Sequence, residues 1–242
     1  MAEAVSQGKN KNFTLALHHY EQLARKTQNK DILLKAVREA AKISLFELKK
    51  YQKAIDYYQL IILNSENPVE RQWAQRQIAT INFDNLQNYQ RAITEFNKLL
   101  LLPHTDEEEA QFRMNISRSY YYLNAFDQAL GEIEVVLKKK YDKSTQFDAK
   151  MLYGNIFLAK KKFKEATAIF NFLLQDYEDR AIKENVALML AVCYEENDDY
   201  KLAIQILEKY KSRMSQPDYV ELRIKRLKER QNNAPGAKGY RK

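Results

Sequence analysis

Apolar positions recur along the chain in one frame. An aromatic residue is followed three positions later by alanine, then four later by a large apolar residue, then three later by another. Tyr51, Ala54, Tyr58 and Ile61 read this way, as do Tyr89, Ala92, Phe96 and Leu99, and Phe126, Ala129, Ile133 and Val136. Phe163, Ala166, Phe170 and Leu173 follow, then Tyr200, Ala203, Leu207 and Tyr210, with an early copy at Phe13, Ala16, Tyr20 and Leu23. These spacings put all four groups on one face of a helix, with alanine where a neighbouring helix approaches most closely. The alanines fall at 16, 54, 92, 129, 166 and 203, which are steps of 38, 38, 37, 37 and 37 residues. Such regularity marks a repeat protein.

A second amphipathic stretch lies upstream of each frame. It is carried by Val37, Ala41, Leu45 and Leu48, by Trp73, Ala79, Phe83 and Leu86, and by Phe112, Ile116, Tyr120 and Leu123. Ala149, Tyr153 and Phe157 continue it, followed by Val186, Leu190 and Tyr194. Each period of about 37 residues therefore predicts two antiparallel helices, which bury their apolar faces only by stacking on neighbouring repeats. The predicted order is a partial repeat at 1–30, repeats at about 31–66, 67–104, 105–142, 143–179 and 180–213, a capping helix at 216–231 and a flexible basic tail at 232–242. Residues 1–10 read as frayed, or with Ala4 and Val5 as the end of a truncated first helix, and the second helix of the partial repeat runs from about Lys11 to Gln28. Asn67-Pro68-Val69-Glu70 and Thr105-Asp106-Glu107-Glu108 read as helix starts with capping boxes, and Ser215 to Asp218 as the start of the last helix.

Composition agrees with an all-α chain: only 5 Gly and 4 Pro stand among 242 residues, beside 16 Tyr and 11 Phe. The formal charge is +8, but eight basic residues face only Glu229 between Leu222 and Lys242, so this end supplies +7 and the repeat body is nearly neutral. No run reaches the roughly 18 apolar residues that cross a bilayer, and Gln7 to Asn12 holds no signal-peptide core. The chain as written is expected to stay where it is made; an export segment removed upstream of Met1 would place it in the cell envelope. The single cysteine, Cys193, sits in a helical pattern as a core filler, and no intrachain disulfide can form.

No enzyme pattern is present. There is neither a GxGxxG nor a P-loop, His18 and His19 are adjacent rather than one turn apart, and His104 follows Pro103 in a turn. No catalytic residue, metal site or cofactor is expected. The acidic run Asp106 to Glu109 suits the positive end of a helix dipole.

The repeated alanines with their aromatic partners, and Gly154 in a first helix, resemble the tetratricopeptide repeat family over about Phe13 to Lys211. Counted back from the second helices, the position of Gly154 is held elsewhere by Lys42, Thr80, Ser117 and Ala191. The resemblance implies an all-α, right-handed solenoid of helix pairs with a concave groove lined by first helices. The period near 37 also resembles the tetratricopeptide proteins of bacterial cell envelopes. The implied groove positions are Glu39, Ile43, Phe46, Gln77, Ile81, Asp84, Met114, Arg118, Tyr121, Tyr122, Met151, Asn155, Leu158, Leu188, Val192 and Glu195. Of these, Ile81, Met114, Arg118, Tyr121, Tyr122, Met151, Asn155, Leu158, Leu188 and Val192 are the candidate partner-binding residues. Some relatives grip a chaperone's terminal carboxylate with Lys and Asn; Glu39, Gln77 and Met114 do not match that set.

The expected function is a non-enzymatic scaffold that binds another protein or peptide in the groove. A second reading is an adaptor to nucleic acid or anionic lipid through Arg223, Lys225, Arg226, Lys228, Arg230, Lys238, Arg241 and Lys242. A third is an envelope-assembly factor, and the partial first repeat also leaves room for a homodimer through the N-terminal end.

Overall fold

The computed structural model describes residues 2–233, with side chains from Asn12 onward. Lys238, Arg241 and Lys242 lie outside the described residues, as does the expected tail from position 234. Among the described residues every regular element is helical. The chain divides into two compact units, Met1–Ala125 and Phe126–Lys242.

The first unit is built from α1 (Ala2–Lys26), α2 (Lys30–Lys42), α3 (Tyr51–Asn64), α4 (Pro68–Thr80), α5 (Tyr89–Leu100) and α6 (Asp106–Tyr122). Each helix packs on the next in sequence, giving an antiparallel stack. The polar opening is helical rather than frayed, since α1 begins at Ala2. Ala54 and Ala92 are wholly buried, and Tyr58, Ile61, Phe96 and Leu99 fill the space beside them. A buried polar lock joins α4 to α5, where Gln75 Nε2 donates to Glu95 Oε2 at 2.7 Å and Lys98 Nζ reaches the same oxygen at 2.8 Å.

The second unit comprises α7 (Phe126–Leu137), α8 (Lys143–Ala159), α9 (Phe163–Asp176), α10 (Glu178–Lys183), α11 (Val186–Glu196), α12 (Tyr200–Tyr210) and α13 (Pro217–Asn233). Residues 232 and 233 thus belong to the last helix. Ala129, Ala166 and Ala203 are again fully buried. Gly154 on α8 is where the ring of Phe170 on α9 sits closest: a Cβ built there would stand 2.6 Å from Phe170 Cε1. The first helix of the last repeat is broken into α10 and α11 by Asn185, whose φ is 61°. Only Tyr177 separates α9 from α10, so the chain enters this repeat early and the break re-aims it.

Two capping expectations come out differently. Thr105 and Glu108 form a complete capping box, Thr105 N donating to Glu108 Oε2 at 3.0 Å and Glu108 N to Thr105 Oγ1 at 3.2 Å. Asn67 caps α4 by accepting from Val69 N, but Glu70 does not close a box there. Its carboxylate instead accepts from Ser65 Oγ at 2.7 Å and from Arg38. A charged partner on the preceding first helix outcompetes the local backbone N–H for that carboxylate.

The turn into each second helix holds one left-handed residue five positions before the buried alanine: Lys49, Gln87, Asn124, Lys161 and Asp198. This is the helix-ending position that usually takes glycine. Upstream of it the repeats differ. After Asn124 the backbone closes as Ala125 N to Tyr120 O at 2.9 Å, whereas after Lys49 and Gln87 the corresponding bonds are Lys50 N to Ser44 O at 2.7 Å and Asn88 N to Asn82 O at 2.8 Å, one residue longer. The extra residue is held in π turns that continue α2 over Ile43–Glu47 and α4 over Ile81–Asn85. The two 38-residue steps in the alanine series each enclose one of these turns.

The π turns correct the register of the first two repeats. Ala41 and Ala79, both fully buried, occupy the close-packing position held by Ser117, Gly154 and Ala191. Lys42 is exposed and Thr80 half-buried, so neither holds that position. An insertion inside a helix leaves the apolar pattern on both sides intact, and counting back from the second helix passes over it.

Candidate partner-binding faces

With the register corrected, Arg38 and Arg76 stand where Met114, Met151 and Leu188 stand in later repeats, three residues before the small one. Both arginines are already engaged. Arg38 bonds Glu70 and Arg76 bonds Glu108, each pair linking one first helix to the next. Arg76 also lies over the Phe112 ring at 5.2 Å. Burial alone would raise the Glu70 carboxyl, but hydrogen bonds from Ser65 and Arg38 outweigh it and hold the group below its usual range. The Glu108 carboxyl is held low chiefly by the Thr105 backbone N–H, and then by Arg76. These basic side chains therefore tie the stack together rather than forming an open clamp for a carboxylate.

In the first unit, Ile81 and Met114 are 1% and 3% exposed and are taken up by the interior. Arg118, Tyr121 and Tyr122 stand further out. Arg118 Nη1 donates to Asn115 Oδ1 at 3.1 Å. Tyr122 is 53% exposed. Its ring stacks on Tyr89 at 4.7 Å, and Phe83 meets Tyr89 edge-on at 5.7 Å. Tyr121 closes the set at 5.7 Å from Tyr122. Three helices thus hold an aromatic platform with one side open to water. Phe46, which the π turn presents at 67% exposure, adds a separate apolar point.

In the second unit, Met151, Asn155, Leu158, Leu188 and Val192 are all half-buried. Met151, Leu158 and Leu188 pack part of their surface on the core of that unit. Glu195 is taken by the last helix, accepting from Arg223 Nη2 at 2.7 Å and also from Arg230. Lys228 pairs with Glu208 at 2.8 Å. Arg223 and Arg230 therefore fasten α13 to the C-terminal end of α11, while Lys225 and Arg226 are exposed. The spacing along α13 did not reveal these contacts, because their partners lie about 20 to 35 residues away in sequence.

Other candidate chemistry has structural partners. Cys193 is buried, which pushes its thiol up to about 11. His104 contacts the carbonyls of Thr105 and Leu100, each at 3.3 Å. Among the described residues no group of three or more His, Cys, Asp and Glu is placed to hold a metal ion, and no helix is long and apolar enough to cross a membrane. On α1, Leu15 and Leu23 remain exposed.

Residues 186–213, the helix pair that follows the break at Asn185, match the family model of the tetratricopeptide repeat. Solved structures share the fold. YrrB, described as a tetratricopeptide protein with an unusual peptide-binding site, superposes with a TM-score of 0.57 at 13% identity, covering 79% of this chain and 91% of its own. The MamA RS-1 ArsTM double mutant gives 0.57 at 17% identity over 83% of this chain and 97% of its own. BtubC (BKLC) from P. vanneervenii gives 0.58 at 12% identity over 95% and 93%. No curated protein sequence matches the chain. Residues 186–213 thus carry the tetratricopeptide repeat, and the chain shares the fold of solved structures that include a tetratricopeptide-repeat protein.

Proposed function

We propose that the protein is a non-enzymatic interaction scaffold that takes a segment of another protein on the outward faces of its first helices. The observation that carries this reading is the platform of Phe83, Tyr89, Tyr121 and Tyr122 beside Arg118, held by ring contacts on three helices and left open at Tyr122. Aromatic side chains on rigid elements lose little entropy on binding, and tyrosine and arginine are enriched among the residues that dominate interface energies. Burying the exposed part of Tyr122 under a partner contributes roughly 1–2 kcal/mol. The half-buried Met151, Asn155, Leu158, Leu188 and Val192 supply a second, adaptable surface in the other unit. That a solved structure of the same fold is described as having a peptide-binding site supports the reading.

The test is photo-crosslinking from a benzophenone amino acid placed at Tyr122, with the same probe at exposed Leu63 on α3 as the control. A protein crosslinked from position 122 and not from 63, and lost from the Arg118→Glu variant, is the expected result. Equal crosslinking from both positions would remove the platform from the reading.

A further inference from the structure

Outside these faces, the C-terminal end of the second unit carries a recess of about 200 Å³ between α11 and α13, lined by Glu195, Tyr219, Leu222, Arg223, Arg226, Leu227 and Arg230. Residues 219, 222, 223, 226 and 230 recur every three or four positions on α13, so they share one face of that helix. Three arginines face one carboxylate there, and two positive charges remain uncompensated. Glu195 is occupied by Arg223 and Arg230, whereas Arg226 is exposed and makes no ion pair among the described residues. The Nε of Arg223 is buried without a hydrogen-bond partner. Tyr219 and Leu222 hold apolar surface open at 49% and 47%.

We infer that this recess is a second binding site, for an acidic peptide segment that carries a large apolar side chain beside its carboxylates. Arg226 and Arg230, one turn apart, would receive the carboxylates as charge-assisted hydrogen bonds. Tyr219 and Leu222 would cover the apolar side chain. The exposed apolar surface of Tyr219 and Leu222 beside the charges suits a peptide side chain and is left unused by a phosphate backbone, and a recess is a poor match to a flat bilayer. Residues 234–242 carry Lys238, Arg241 and Lys242 and no Asp or Glu, so their side chains are not the electrostatic complement of this site.

The experiment is fluorescence anisotropy on the full chain with a labelled peptide alternating Glu and Leu. The comparison probes are a Glu/Ser peptide of equal charge, a single-stranded oligonucleotide, and phosphatidylserine vesicles by co-sedimentation. The expected result is binding of the Glu/Leu peptide in preference to the Glu/Ser peptide. Arg226→Ala should weaken it by about five-fold or more and Lys225→Ala by less than about two-fold. Because both side chains are exposed, neither change is expected to alter the helical circular dichroism. Equal loss from the two variants, equal binding of the two peptides, or tighter binding of oligonucleotide or vesicle would each overturn the site. Repeating the titration with Tyr122→Ala separates it from the aromatic platform: unchanged affinity is expected, and a matching loss would mean that the peptide binds elsewhere.

Discussion

Gly131 and Gly154 both lie within helices, and their surroundings set opposite outcomes for the same substitution. A Cβ at Gly131 meets nothing within 4 Å, so Gly131→Ala is expected to stabilise the protein by about 0.5–1 kcal/mol through helix propensity. At Gly154 the added carbon meets Phe170 Cε1 at 2.6 Å and Ile169 Cγ2 at 3.2 Å, and Phe170 is fully buried. Gly154→Ala is therefore expected to destabilise by about 1–3 kcal/mol, both changes being read from urea midpoints. Cys193 gives a pH-dependent check. Burial favours its neutral thiol and raises it from about 9 to about 11, so its contribution is complete below about pH 9 and is lost as pH rises towards 11. Native protein should resist thiol labelling at pH 8 and react only on unfolding. Gly154 and the buried alanines were readable from sequence because a small residue in a large-residue pattern has one cheap explanation, close approach. The engagement of Arg38, Arg76 and Arg223 was not, because the partner of a long charged side chain depends on which helix stacks beside it.

Helices and their order were legible where an apolar stripe met a capping signal, as at Thr105 and Asn67. They were less legible in three places. The polar start of α1 continues the helix without a stripe of its own. Asn185 breaks the last first helix inside an unbroken apolar pattern. The π turns hide one residue each, which shifted the groove projection in the first two repeats from Arg38 and Arg76 to Glu39 and Gln77. If the turn at Ile43–Glu47 is an accommodated insertion, deleting Ser44 should leave a folded protein. The deletion keeps Ile43 and Leu45 in the positions that Ile156 and Phe157 hold in α8, and it removes a buried hydroxyl that has no partner. A thermal midpoint close to that of the parent is expected, whereas deleting Ser117 from α6 should rotate the whole downstream face and abolish the transition. The carboxylates that link the elements give a second check. Glu21, Glu70 and Glu108 all titrate below the usual value of 4.5; for Glu21, burial acts to raise it but Lys53 and Tyr57 prevail. Their contribution is complete above about pH 4.5 and is lost as pH falls through the lowered values. Urea midpoints should therefore hold between pH 7 and 5 and fall from pH 4.5 downwards.

For the molecule as a whole, stability is a sum over neighbouring repeats rather than the property of one central core. Gly154→Ala should accordingly raise hydrogen exchange most in α8 and α9, with smaller effects in helices further along the same unit, as measured by mass spectrometry; uniform loss across that unit would contradict the picture. The net charge of +8 also has a local rather than a global meaning, since it resides mostly in α13 and the residues after it. The left-handed residues at the helix turns bear on how far this sum can be raised. Lys49, Gln87 and Lys161 occupy a backbone region where a side chain is strained, and glycine, the residue that enters it freely, is absent from all five turns. Each such position works below its attainable value by up to about 1 kcal/mol. Because the sites are at least one repeat apart, gains from glycine there should add. The protein therefore has a route to higher melting temperature that touches neither its core nor its outward faces, and its natural sequence has left that route unused.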